Sequence, residues 1–181
     1  MVKRFWLSAI LISLTFAGVQ TLSTVSAGAD SHYLAPSAPL SMSIPSLKVQ
    51  TKIMKLGLDS VGALEVPKSG DIAGWYKGSP SPGEIGPTII VAHVDMDGKP
   101  GVFFRLKEMK VGDVVKVKRA DMEVVTFKVT EISTFKKSKF PSAKIYGNLN
   151  FAGLRLITCG GKFDSKIRHY DSNVVVYAKK I

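Results

Sequence analysis

Cysteine occurs once in the 181 residues, as Cys159 within LRLITCGG at 154–161. A buried free thiol behaves as a small hydrophobe. An ionised one is a nucleophile, and it then needs a base or cationic partner. Three histidines are available. His32 lies in a Ser/Pro-rich stretch, and His169 sits in the polar SKIRHYDSN. His93 closes the apolar run TIIVA and is followed by VDMDGKPG. His93 and Cys159 therefore hold equivalent places, each ending a strand-like run and opening a loop, which is where β folds put their sites. If the two strands are neighbours, thiol and imidazole face each other and can perform acyl transfer: the thiolate attacks a carbonyl and the imidazole moves the proton. Each residue also has a plain structural reading, as a packed thiol, a strand-end histidine bonded to Asp95, and turn glycines at 160–161. The conjunction is what points to chemistry. One cysteine excludes an internal disulfide and a Cys-rich zinc site. His and carboxylate residues lack ligand spacing, so neither metal nor cofactor is expected.

The elements that must carry this pair read as strands. TKIMKLGL alternates, TIIVAH (88–93) is a short buried run, and DVVKVKR (113–119) and EVVTFKVTEI (123–132) alternate around a tight RADM connection. LRLIT (154–158) and NVVVYA (173–178) complete the set, and only GVFFRLKEMKVG (101–112) reads as a helical turn. Many short strands punctuated by Gly and Pro predict an all-β sandwich or barrel.

The N-terminus has Lys3 and Arg4 before an apolar segment from Phe5 to about Val19, then small residues ending in Ala27-Gly28-Ala29. This is an export signal at 1–29, either cleaved or kept as an anchor helix. Its basic end stays cytoplasmic, so the rest is expected on the extracytoplasmic face, or secreted if the signal is cut. Residues 30–46, with Pro36, Pro39 and Pro45 among serines, read as a linker, which starts the folded domain (47–181) near Leu47. The chain carries a net charge of +11, of which the part after residue 29 keeps +9. Only Lys136, Lys137 and Lys139 cluster, and no nucleic-acid-binding motif accompanies them. No nucleic-acid partner is expected, and the charge suits anionic lipid or wall polymers.

The stretches GDIAGWYKGSPSPGEIGPTIIVAHVD, GVFFRLKEMKVGD, FPSAKIYG and LRLITCGGKFD…RHYDSNVVVYA, from about Gly70 to Ala178, resemble the sortases, cysteine transpeptidases of the Gram-positive cell surface, and specifically those of class F. The resemblance implies an eight-stranded β-barrel with short helical turns. It implies Cys159 as nucleophile, His93 as general acid and base, and an arginine shortly after the cysteine that steadies the oxyanion or substrate. Arg168 is the arginine there, with Arg155 as the alternative, although a strand residue facing solvent is the simpler reading of Arg155. Asp95 either orients the imidazole or bonds within its own loop, and Thr158 shapes the approach to the thiol. The substrate implied is an LPXTG-like sorting signal on a surface protein, and the acceptor an amine of a peptidoglycan precursor. A papain-like exported peptidase is disfavoured because its cysteine opens a helix with the histidine downstream. A non-catalytic wall-binding barrel would not need Cys159, His93 and an arginine together.

Overall fold

The computed structural model describes residues 33–181. The export segment expected at 1–29 lies outside them. Strands β1 (Pro39–Ile44), β2 (Val49–Leu56), β3 (Ala73–Tyr76), β4 (Gly86–Val91), β5 (Asp95–Met96), β6 (Lys99–Pro100), β7 (Val114–Arg119), β8 (Val124–Lys136), β9 (Ala152–Asp164) and β10 (His169–Lys180) follow in chain order. Eight of them close a barrel in the order β1-β2-β3-β4-β9-β10-β8-β7, while β5 and β6 form a separate two-stranded ribbon. The only α-helix among the described residues is α1 (Ser142–Tyr146), and single 3-10 turns cover Pro45–Leu47, Leu106–Glu108 and Lys137–Lys139. The GVFFRLKEMKVG stretch is thus helical only over Leu106–Glu108.

Alternation explains the closure. Met42 and Ile44 of β1, Val115 and Val117 of β7, Val125, Phe127 and Val129 of β8, Leu154 and Leu156 of β9, and Val174 and Val176 of β10 all enter one interior core. Period-two placement of β-branched and aromatic residues commits one face of each strand to that interior. A second, outer cluster packs Ile89 and Val91 of β4, Ile157 of β9, and Val175 and Tyr177 of β10 beneath Ile145 of α1.

The folded body begins earlier than Leu47. Residues 39–44, within the stretch expected to be a linker, form β1, which pairs with both β2 and β7. Met42 and Ile44 are fully buried there. The preceding residues are tied down too. Leu34 N–H donates to Gly83 O (3.1 Å), Ala120 N–H to Ala38 O (2.8 Å), and the buried Arg119 guanidinium to Ala35 O (2.6 Å). Proline and serine composition signalled a tether, but an alternating Leu-Ser-Met-Ser-Ile fits a strand whenever two open edges await it. The ribbon turn at Asp97 and Gly98 has φ of 51° and 73°. Two positive φ values make a type I′ turn, the preferred two-residue hairpin connection.

Candidate active site

β4 and β9 run parallel, in register from Gly86↔Ala152 to Val91↔Ile157. That register offset is the 66-residue spacing between His93 and Cys159. Each therefore stands two residues beyond the last ladder pair, on adjoining strands. The ladder is extended by Ala92 N–H donating to Ile157 O (3.2 Å). The Thr158 hydroxyl then donates to Ala92 O at 2.8 Å. Thr158 is buried, so this bond binds the residue before the thiol to the residue before the imidazole.

The His93 ring is half-buried, with Nε2 2.7 Å from the carbonyl oxygen of Pro67. A carbonyl only accepts, so Nε2 carries the hydrogen and donates, and Nδ1 is left to take or give a proton. The imidazole is thus oriented by a main-chain oxygen from the irregular segment between β2 and β3, which no local motif around His93 announces. Asp95 has another partner: its Oδ2 accepts a hydrogen bond from the Tyr170 hydroxyl, at the start of β10. That bond, with the Asp95 charge beside it, pushes the Tyr170 phenol up to about 12, so Tyr170 stays a neutral donor across physiological pH.

Cys159 lies inside β9, which continues to Asp164 instead of stopping at Thr158. The thiol is half-exposed and faces Asn173 across the ladder. Two residues on, the register slips between Ser172↔Gly160 and Tyr170↔Phe163. Gly161 has φ 79°, and a Cβ there would lie 2.2 Å from Asp171 Oδ1. This is a β-bulge with glycine in the left-handed region. The double glycine marks a kink in a long hairpin, and the bulge re-aims the strand next to the thiol.

His93, Asp95, Thr158, Cys159 and Arg168 all line one cavity of about 480 Å³. Its remaining walls come from Leu64 and Val66 after β2, Phe140 and Tyr146 around α1, and Phe163 and Tyr170 of the β9–β10 hairpin. The lining is largely apolar, as is usual for pockets that take a ligand out of water. Arg168 occupies the exposed tip of the hairpin with φ 53°. The local chain thus bends at a non-glycine residue to bring it over the cavity.

Arg155 behaves otherwise. It is 5% exposed and does not face solvent as its strand position suggested. Its guanidinium stacks 4.5 Å from the Tyr177 ring centre and donates to Leu154 O (3.1 Å), and burial lowers its pKa. It is absent from the cavity lining, because it points into the layer beneath Lys144, which also sits over Tyr177 at 4.7 Å. Sequence reading missed Pro67, Tyr170 and Asn173. Pro67 acts through its backbone, which carries no side-chain signature, and the other two depend on the β9–β10 register. No group of three or more His, Cys, Asp or Glu among the described residues could hold a metal ion.

A closed eight-stranded barrel thus carries a thiol and an imidazole at matching positions, each two residues beyond the last pair of a parallel ladder. The sequence matches the sortase domain family over residues 42–181, and the chain belongs to the sortase family. Its fold is similar to that of a lid mutant of sortase A from Corynebacterium diphtheriae, with TM-score 0.62 at 20% identity over 81% of this chain and 70% of that one. It is likewise similar to Streptococcus agalactiae sortase C1 in complex with MTSET (TM-score 0.61, 18% identity, 78% and 66% covered). Streptococcus pneumoniae sortase C is similar as well (TM-score 0.57, 23% identity, 79% and 66% covered). The chain thus spans about two thirds of the length of these structures. No curated protein matches the sequence. Family membership makes this a sortase-type cysteine transpeptidase.

Proposed function

We propose that the protein is a class F-type sortase that cleaves an LPXTG-like sorting signal on a surface protein and transfers the acyl part to a cell-wall amine. It would act from the extracytoplasmic face of the membrane, held by its N-terminal apolar segment. The observation that carries the reading is the convergence of Cys159, His93 and Arg168 on one cavity, with the first two placed by the β4–β9 register. The class F reading rests on the sequence stretches around His93 and Cys159, and the wall amine on the export signal and basic surface.

In this mechanism the Cys159 thiolate attacks the scissile carbonyl, and the developing oxyanion is steadied by Arg168, whose guanidinium offers only donors. Collapse of the tetrahedral species breaks the C–N bond, and the leaving amine takes a proton from His93 Nδ1. The Nε2–H···O bond to Pro67 persists in both protonation states, so the ring holds its orientation through the cycle. An acceptor amine then attacks the thioester and returns a proton to Nδ1.

The test is to incubate the full-length protein with an LPXTG peptide and search for a thioacyl adduct by mass spectrometry. A mass increment equal to the acyl fragment, mapped to Cys159 and absent in Cys159→Ala, supports the mechanism. Cleavage that persists in Cys159→Ala would overturn it. Alkylation kinetics offer an independent check, since a functional thiolate reacts far faster than a packed thiol.

A further inference from the structure

Cys159 also borders a second cavity, of about 360 Å³. Phe103, Phe104 and Lys107 line one wall, and Thr134, Gly160 and Gly161 another. The two cavities share four lining residues: Val94, Thr158, Cys159 and Tyr170. Thr158 is buried with its hydroxyl engaged on Ala92, and Val94 is short. Tyr170 is the one long side chain that borders both cavities. It is fixed at both ends: its ring packs on Phe163, with centroids 5.1 Å apart, and its hydroxyl is bonded to Asp95 across from the hairpin.

We infer that Tyr170, held by Asp95, is a positioning residue that divides the space around Cys159 into a donor cavity and an acceptor cavity, and so sets whether the thioester goes to an amine or to water. The inference rests on the thioacyl mechanism proposed above. The larger cavity, with His93, Arg168 and apolar walls, suits the peptide being cut. The smaller one, with the Lys107 ammonium and the Thr134 hydroxyl, suits a primary amine whose far end is anionic. Both fates of the thioester balance. With an amine, the Cys159 Sγ–C bond breaks, an N–C bond forms, and one amine proton passes to the imidazole that the first leaving amine left neutral. With water, an O–C bond forms instead and a carboxylic acid is released. A divider that keeps bulk water off the thioester while admitting an amine from the other side favours the first fate.

The experiment is a partition measurement on full-length protein acylated at Cys159, with triglycine as the amine probe and both products quantified. Acylation is done with an LPXTG peptide and, separately, with a small acyl thioester. Failure of the peptide arm alone would then sink the sorting-signal reading and leave the partition measurable. The ratio is read from one acylated population, so it does not depend on how fast that population formed. Tyr170→Ala is expected to move the ratio toward hydrolysis by about tenfold or more, the equivalent of a lost hydrogen bond to a charged group. Tyr170→Phe and Asp95→Ala are expected to shift it equally, and the double variant no further. Thr134→Trp, which fills the second cavity alone, is expected to raise the triglycine concentration needed for half-maximal transfer. An unchanged ratio in folded Tyr170→Ala, or an unchanged triglycine dependence in Thr134→Trp, would overturn the inference. Should Tyr170→Ala not fold, Tyr170→Phe and Thr134→Trp decide it.

Discussion

Replacing Thr158 by valine keeps the β-branched shape and deletes one hydroxyl. That hydroxyl donates to Ala92 O at 2.8 Å in a buried setting. Its loss leaves a carbonyl without that donor immediately before His93. Stranding a buried acceptor costs about 1–3 kcal/mol. For a chain of this size each kcal/mol lowers Tm by roughly 2–4 °C, so a drop of about 2–12 °C is expected by circular dichroism. The effect on rate has a separate origin. The remaining tie at this point is Ala92 N–H to Ile157 O at 3.2 Å, which holds register and leaves the last residues free to splay. A misplacement on the order of 1 Å between reacting groups costs about 10²-fold, so kcat/KM should fall by at least about tenfold in Thr158→Val. Thr158→Ser restores the hydroxyl and should recover most of both losses. If Thr158→Val unfolds at the wild-type temperature and retains wild-type kcat/KM, the bond does not position the His93–Cys159 pair.

Arg168→Lys keeps the charge and loses the planar fork of donors. It should recover little activity over Arg168→Ala, which is expected to lose about 10²–10³ in kcat; full activity in the alanine variant would remove Arg168 from the mechanism. Gly161→Ala places a Cβ 2.2 Å from Asp171 Oδ1 at φ 79°, so a stability loss of about 2 kcal/mol or more is expected in urea unfolding. A chain shortened to begin at Leu47 loses β1, opens the barrel between β2 and β7, and removes Met42 and Ile44 from the core; it should lack cooperative unfolding, whereas a chain beginning at Tyr33 should unfold cooperatively. The Tyr170 phenol should ionise near 12 by ultraviolet absorbance titration and fall back toward 10 in Asp95→Asn. Because its folded pKa is raised, the stabilisation linked to it is complete below about pH 10 and is lost as pH rises toward 12.

The features legible in the sequence are those that local chemistry specifies. Period-two alternation marked the strands that close the barrel, because a half-buried pleat imposes it. A single thiol and a single histidine at like positions on two apolar runs marked the candidate pair, because reactivity needs those atoms whatever the fold. Tertiary structure alone decided whether they meet, through the parallel β4–β9 register that turns a 66-residue spacing into adjacency. It also drew residues 39–44 into the barrel, since a Ser/Pro-rich segment becomes a strand when two open edges can bond it. The orienting group on His93 is a backbone carbonyl at Pro67, and every residue has one, so nothing in the side-chain alphabet singles it out. Arg155 and Arg168 are alike as letters. Only the layer of Tyr177 and Lys144 over one, and the bent hairpin tip under the other, assign them to different work. Hydrogen bonds and burial between residues distant in the chain are set by register and layering, and those belong to the assembled fold.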